Sequence, residues 1–163
     1  MDQNDIKTLR IAILNEVESE KFYKSAAQNA QDPDAAQAFI YLAEDEIRHQ
    51  QKLGRILNLL TEGTECSIEA LDLEEPPSPA IFKVPESGNA EYGMEISVFH
   101  IAILMEKASL DFYRQAAQST TLALTRQLYE FLANWELKHL DAMENIYDWL
   151  TEDWFERQGF STS

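Results

Sequence analysis

The sequence has little of what disulfide-bonded, membrane and nucleic-acid-binding proteins need. Cys66 is the only cysteine, which excludes an internal disulfide and a paired-cysteine metal or redox site. No apolar run approaches the ~18 residues of a membrane span. The 13 basic residues against 29 acidic ones give a net charge of -16, which argues against a nucleic acid or an anionic membrane as a partner. The first residues are polar and acidic, so we expect no signal peptide and a cytoplasmic protein.

Proline and glycine are also scarce, and most of them lie between residues 62 and 89. We expect this stretch to be a connector without a core of its own. On either side, apolar residues recur at helical spacing, which predicts two helical hairpins over about residues 5–61 and 90–150. A short amphipathic C-terminal helix with Trp149, Trp154 and Phe155 should follow. At 163 residues, 45% of them hydrophobic, residues 1–163 are expected to form a single all-α domain.

The two predicted hairpins repeat one another. A shift of 90 positions aligns three pairs of metal-ligating residue types: Glu16 with Glu106, Glu46 with Glu136, and His49 with His139. The same shift aligns the apolar segment 11–14 with the segment 101–104, without a gap. Such a repeat predicts that two equivalent halves build the fold.

Each hairpin carries its two glutamates at equal distances from its turn. Glu16 and Glu46 are centred on residue 31, and Glu106 and Glu136 on residue 121. In antiparallel hairpins the members of each pair therefore face each other, ~22 Å from the turn. Each histidine follows a glutamate by three residues and shares its helix face. If the connector runs back along the bundle, a distance of ~40 Å that ~27 residues can span, a pseudo-twofold axis brings the six side chains together.

Four carboxylates gathered in a helical core need compensating cations. Buried charge costs several kcal/mol per ion, and two divalent ions would cancel the four charges. Oxygen-rich ligands with one imidazole per metal suit iron or manganese better than structural zinc. We therefore predict two metal ions bound by Glu16, Glu46, His49, Glu106, Glu136 and His139. The alternative is a helical interaction domain in which these residues are incidental.

A tyrosine follows one glutamate of each hairpin at the same spacing. Tyr23 lies seven residues after Glu16, and Tyr113 seven residues after Glu106, and a Glu-x-x-His motif follows in each hairpin. With these motifs the four helices resemble the rubrerythrin branch of the ferritin-like superfamily. The resemblance implies a ferritin-like four-helix bundle of two hairpins joined by a long crossover. It also implies a centre of two iron ions, with manganese or zinc as substitutes, that reduces peroxide or oxidises ferrous iron with oxygen.

The sequence departs from the pattern of that family in two ways. Rubrerythrin proper has a rubredoxin-type domain with four cysteines, so here electrons would come from an external donor protein such as a rubredoxin. Many rubrerythrins carry an extra glutamate one turn from the helix-3 ligand, where this chain has Ala102, Ile103, Ser109 and Leu110. Two functions stay open: an oxidoreductase that reduces hydrogen peroxide or oxygen, and an iron-handling ferroxidase without turnover of an external substrate.

Three further residues are expected to support the ligands. Tyr23 and Tyr113 lie on nearly the same helix face as their glutamate, so each hydroxyl should bond a ligand carboxylate, with plain packing as the alternative. Asp45 opens the string Asp-Glu-Ile-Arg-His, which is similar to an element of other di-iron proteins in which the aspartate accepts from a ligand histidine across the bundle. We expect Asp45 to orient His139, with a surface acid as the alternative. Because the repeat has Trp135 at this position, the two irons should be inequivalent.

The assembly of the chain can also be anticipated. Neither hairpin buries its apolar face alone, and an aromatic tail offers the kind of surface that interfaces use. The resemblance to rubrerythrins also points to a dimer. We therefore expect a homodimer, built from intact chains or by exchange of hairpins.

Overall fold

A computed structural model of the protein describes residues 3–63, residue 73 and residues 93–160. This part of the chain contains four helices: α1 (Gln3–Asn29), α2 (Pro33–Glu62), α3 (Gly93–Ser119) and α4 (Ala123–Arg157). The predicted all-α four-helix bundle made of two hairpins is confirmed. The predicted connector over 62–89 lies almost wholly outside the described residues. Within the described ranges, none of the helices has an apolar stretch of the length that crosses a membrane.

Local capping explains where the hairpins turn. In the first turn the carboxylate of Asp32 accepts a hydrogen bond from the backbone N–H of Ala35 at 2.8 Å, and Pro33 occupies the first helical position. α2 ends at Gly63, whose φ of 70° is accessible to a residue without a Cβ. In the second turn the guanidinium of Arg126 donates to two backbone carbonyls at the end of α3, at 3.3 and 2.9 Å. These bonds fix the short loops that make each pair of helices antiparallel.

The apolar interior of the bundle is divided into two layers, and each layer draws side chains from all four helices. The first layer includes Leu9, Leu53, Ile56, Tyr113, Leu128 and Leu132. The second layer includes Tyr23, Phe39, Leu42, Phe99, Met143 and Ile146. Burial of one such aliphatic side chain contributes roughly 1.5–3 kcal/mol, so the two layers hold the helices together. Between the layers, near the middle of every helix, lie the predicted ligand positions.

The predicted short C-terminal helix does not exist as a separate element. α4 continues without a break through Trp149, Trp154 and Phe155 to Arg157. The reason is local: its sequence contains no proline or glycine until Gly159, which has a φ of 76°. An ion pair of 2.7 Å between Arg157 and an aspartate one turn earlier stabilises this last part of the helix. The aromatic tail is thus an extension of α4.

Candidate metal centre

All six predicted ligands lie in the space between the two apolar layers. Each is at most 5% exposed: Glu16, Glu46, His49, Glu106, Glu136 and His139. They occupy mid-helix positions that face inward, and the Glu-x-x-His spacing puts both members of each pair on one face of the helix. One chain supplies the whole cluster, which is therefore complete without exchange of hairpins.

The six side chains form two overlapping groups of four. In each group, ligand atoms from all four residues lie within 4.8 Å of one another. One group consists of Glu16, Glu46, His49 and Glu136, and the other of Glu46, Glu106, Glu136 and His139. Glu46 and Glu136 thus belong to both groups, while the other four residues belong to one each. Such an overlap suits a pair of cations with two carboxylates shared between them.

Both imidazole rings direct Nδ1 toward the carboxylates. Nδ1 of His49 lies 3.2 to 3.3 Å from oxygens of the three glutamates in its group. Nδ1 of His139 lies 3.5 Å from oxygens of Glu106 and Glu136. Each ring therefore offers one nitrogen to the cluster and presents the other nitrogen, Nε2, to the surrounding protein.

The charges of the six side chains do not balance by themselves. Burial, and then the charges of Glu16 and Glu136, raise the pKa of Glu46 well above its usual value. Burial and Glu136 also raise the pKa of Glu106 to about 8. Burial disfavours the charged forms of both imidazoles and of Glu136, but opposite charges nearby outweigh it. They are Glu136 for His49, Asp45 and Glu106 for His139, and both imidazoles for Glu136. The pKa of each histidine is consequently raised and that of Glu136 lowered. The negative charge of the cluster is thus neutralised only when protons or metal ions bind to it.

Several buried polar atoms of the cluster have no hydrogen-bond partner in the described part of the chain. They are Oε2 of Glu106, both carboxylate oxygens of Glu136 and Nδ1 of His139. A buried polar atom without a partner costs roughly 1–3 kcal/mol. Carboxylate oxygens and imidazole nitrogens are suitable ligands for iron and manganese. The residues therefore fit a pair of divalent ions, with Glu46 and Glu136 between them.

The hydroxyls of Tyr23 and Tyr113 each donate a hydrogen bond to a predicted ligand carboxylate of the other hairpin. The hydroxyl of Tyr23 donates to Oε1 of Glu106, and the hydroxyl of Tyr113 donates to Oε1 of Glu16. Burial and the neighbouring carboxylates raise the pKa of both phenols, so both remain protonated donors. Each tyrosine is ~10 Å along the axis from the glutamate of its own helix. The glutamate that it contacts lies on the other helix, α3 for Tyr23 and α1 for Tyr113.

Asp45 contacts His139 from the opposite hairpin. Its Oδ2 accepts a hydrogen bond from Nε2 of His139 at 3.0 Å, and its Oδ1 accepts one from Arg48. With the proton held on Nε2, Nδ1 keeps its lone pair on the side of the cluster. Asp45 is therefore placed to hold this ring in one tautomer and one orientation.

Trp135 occupies the place of Asp45 in the second hairpin, and its contacts were missed by the sequence analysis. Its indole Nε1 lies 3.4 Å from Oδ2 of Asp45. Its ring packs edge-to-face on His49, with ring centroids 4.8 Å apart. The 90-residue repeat reveals that a carboxylate is missing here, but no sequence signal indicates which ring the indole contacts.

Glu20 lies about one turn beyond Glu16 and is not part of the cluster. Its carboxylate accepts hydrogen bonds from Lys24 at 2.5 Å and from Gln50 at 2.8 Å. The bond from Lys24, followed by that from Gln50, lowers the pKa of Glu20. Glu20 is therefore a paired acid near the surface and a matched control for substitutions within the cluster.

Comparisons with solved structures find proteins of the same fold. A hypothetical protein from Pyrococcus furiosus is 22% identical with a TM-score of 0.68, over 91% of this chain and 90% of that one. The bacterioferritin-related protein from Bacteroides fragilis, described as a dodecameric thioferritin, is 20% identical with a TM-score of 0.67, over 99% of this chain and 94% of that one. At these identities the likeness shows a shared fold. No curated protein matches the chain.

The family model for rubrerythrin matches residues 7–147. This range includes all six residues of the cluster, both tyrosines and Asp45. The rubredoxin-type domain with its four cysteines is not among the 163 residues, which hold Cys66 alone. Since the match spans most of the sequence, the chain belongs to the rubrerythrin family, within the ferritin-like superfamily.

Proposed function

We propose that the chain binds two iron ions at the Glu/His cluster and reduces hydrogen peroxide or oxygen with electrons from an external donor such as a rubredoxin. The observation that carries this proposal is the pair of overlapping buried groups that share Glu46 and Glu136. Two iron ions held side by side supply a two-electron change to peroxide or oxygen. Manganese or zinc would substitute at the same ligands.

The protein contributes geometry and exclusion of water. In this proposal Glu46 and Glu136, which belong to both groups, would hold both ions, while Glu16 and Glu106 would each hold one. The tyrosine hydroxyls hold the two terminal carboxylates, and the carboxylate of Asp45 holds the ring of His139. The apolar layers on both sides keep bulk water away, which strengthens the electrostatic interactions inside the cluster.

A ferroxidase for iron handling is the second candidate function, and it would use the same ligands. The ferroxidase function is favoured by what this chain has at the positions where many rubrerythrins carry an extra glutamate. Ala102 and Leu110 are buried there, 0% and 4% exposed, and belong to the apolar layers. An additional carboxylate for exchange of ligands is therefore not available from these positions.

The metal content of the protein tests the shared part of both functions. Chain purified from an iron-supplied culture should contain close to two irons, and Glu46→Ala should lose most of them while Glu20→Ala keeps them. A wild-type chain with full helicity and no bound metal at neutral pH would overturn the proposal.

Turnover assays separate the two functions. An oxidoreductase consumes peroxide or oxygen in many cycles when a reduced donor such as rubredoxin is supplied. A ferroxidase consumes oxygen only in proportion to added ferrous iron, and the supplied donor has no effect. In both assays Glu46→Ala should be inactive and Glu20→Ala should match the wild type.

We further propose a homodimer in which each chain keeps its own two hairpins. The extension of α4 supports this, because Phe155 and Phe160 are 50% and 65% exposed and offer apolar surface to a partner. The dodecamer named for the Bacteroides fragilis protein also supports assembly of copies.

Co-expression of two defective chains tests whether hairpins are exchanged. One chain carries Glu16→Ala in the first hairpin, and the other carries Glu136→Ala in the second. Unexchanged chains rebuild no intact cluster, so the mixed dimer should bind as little metal as either variant alone. Recovery of one intact cluster per mixed dimer would show exchange instead.

A further inference from the structure

The two histidines of the cluster differ in what their outer nitrogen contacts. Nε2 of His139 donates to the carboxylate of Asp45 at 3.0 Å. Nε2 of His49 has no hydrogen-bond partner among the residues that the structure describes, and that ring packs against the indole of Trp135. His49 is 0% exposed, so this nitrogen does not face bulk solvent. The imidazole of His139 thus has a charged acceptor and that of His49 has none, while the indole of Trp135 lies beside both rings, with centroids 4.8 Å from His49 and 6.5 Å from His139.

In the residue types of their groups the two halves of the cluster match. Each group of four contains three carboxylates and one imidazole, and two of those carboxylates are common to both groups. The remaining carboxylate of each group accepts a hydrogen bond from a buried tyrosine. The main difference between the two positions therefore reduces to Asp45 in the first hairpin and Trp135 in the second.

A carboxylate that accepts from one imidazole nitrogen makes the other nitrogen a stronger ligand and fixes the ring. Loss of such a partner typically lowers metal affinity about 10- to 100-fold. We propose that the two metal positions are unequal: the position of His139 fills first and tightly, and the position of His49 binds about 10- to 100-fold more weakly and exchanges its ion. This inference rests on the proposed function and specifies how its two ions are loaded.

Two binding steps alone do not test this proposal, because two neighbouring cations repel each other and would bind in two steps at equal positions as well. The test is which position the first ion occupies. Metal-free full-length chain is titrated with Co²⁺, a probe that stays divalent, and binding is followed by calorimetry and by the visible absorption of the bound ion. His49→Ala and His139→Ala form a matched pair, since the repeat makes their groups equivalent in composition.

The proposal predicts opposite results for the two histidine variants. His49→Ala should keep the Kd of the first Co²⁺ within about threefold of wild type, because the first ion does not use that ring. His139→Ala should raise that Kd about 10- to 100-fold, because the first ion must then take the weaker position. Equal losses in the two variants, or the reverse order, would overturn the inference.

Asp45→Asn tests whether the carboxylate is the cause. It should raise the Kd of the first ion about 10- to 100-fold in the wild-type chain and leave it unchanged in a His139→Ala chain, because Asp45 acts through that ring. Glu20→Gln changes an acid outside the cluster and is the control, and it should keep the first Kd within about threefold. An equal effect of Asp45→Asn in both backgrounds would indicate a general structural role and refute the assignment.

The outcomes also separate this inference from the function on which it rests. A folded wild-type chain that binds no Co²⁺ overturns both. A chain that binds two ions with the same dependence on both histidines keeps the dinuclear site and overturns only the inequality. Circular dichroism of each variant identifies any that fail to fold, and the histidine pair decides the question if Asp45→Asn is one of them.

Discussion

Metal binding should raise the thermal stability of this bundle, and Glu46→Gln should abolish most of that rise. The carboxylate of Glu46 belongs to both groups of the cluster, so its replacement removes a charged ligand from both positions at once. Its surroundings in the metal-free chain are repulsive, because it is buried beside Glu16 and Glu136, which raise its pKa. A neutral side chain of the same shape relieves that repulsion. The metal-free variant should therefore melt at or above the temperature of the metal-free wild type.

The size of the rise follows from mass action. A ligand that binds only the folded state adds ~2.7 kcal/mol at 100 times its Kd and ~4.1 kcal/mol at 1,000 times its Kd. In a domain of this length, 1 kcal/mol changes Tm by ~2–4 °C. These values are for one ion, so each Mn²⁺ or anaerobic Fe²⁺ that saturates its position should raise Tm roughly 5–16 °C above that of the chelator-treated chain.

The assay is a thermal melt followed by far-ultraviolet circular dichroism, with and without metal. Glu20→Gln is the matched control: it breaks an ion pair near the surface that is worth only ~0–1 kcal/mol, and it should keep the full metal-dependent rise. The reasoning is refuted if wild-type chain melts at the same temperature with and without metal, or if Glu46→Gln and Glu20→Gln retain equal rises.

Three further predictions concern the tyrosines and the assembly. Tyr113→Phe removes the hydroxyl that holds Glu16 and should raise the Kd for metal about 10- to 100-fold in a titration; an unchanged Kd would show that packing alone is its role. Tyr129→Phe should leave the free energy of unfolding, measured in urea, unchanged or raise it by ~1 kcal/mol. The buried hydroxyl of Tyr129 has no partner among the described residues, and Phe39 takes the equivalent place in the other hairpin. A clear loss of stability would mean that the hydroxyl is bonded. Light scattering at micromolar concentration should give about twice the chain mass of 18.7 kDa, and a mass of one chain would refute the dimer.

The residue order is enough to predict the two hairpins and the residues that converge, although it wrongly predicted a separate C-terminal helix where α4 continues to Arg157. Apolar spacing within a helix fixes which face is buried, and equal distances from a turn fix which residues of a hairpin face each other. The repeat of 90 positions then related Glu16 to Glu106 and His49 to His139 without any knowledge of packing. These relations are local or follow from symmetry, so they can be read from residue types and their positions.

The tertiary structure alone decided the contacts between the hairpins. Which glutamates lie in both groups, which carboxylate each tyrosine reaches and which ring Trp135 touches depend on how the helices cross and how far apart they pack. A difference of one rotamer or a few ångströms changes each of these contacts while the helical pattern of the sequence stays the same. The difference between Asp45 and Trp135 was visible as a break in the repeat, and the sequence predicted a contact of Asp45 with His139. The contact of Trp135 with His49 could be found only from their distance in space.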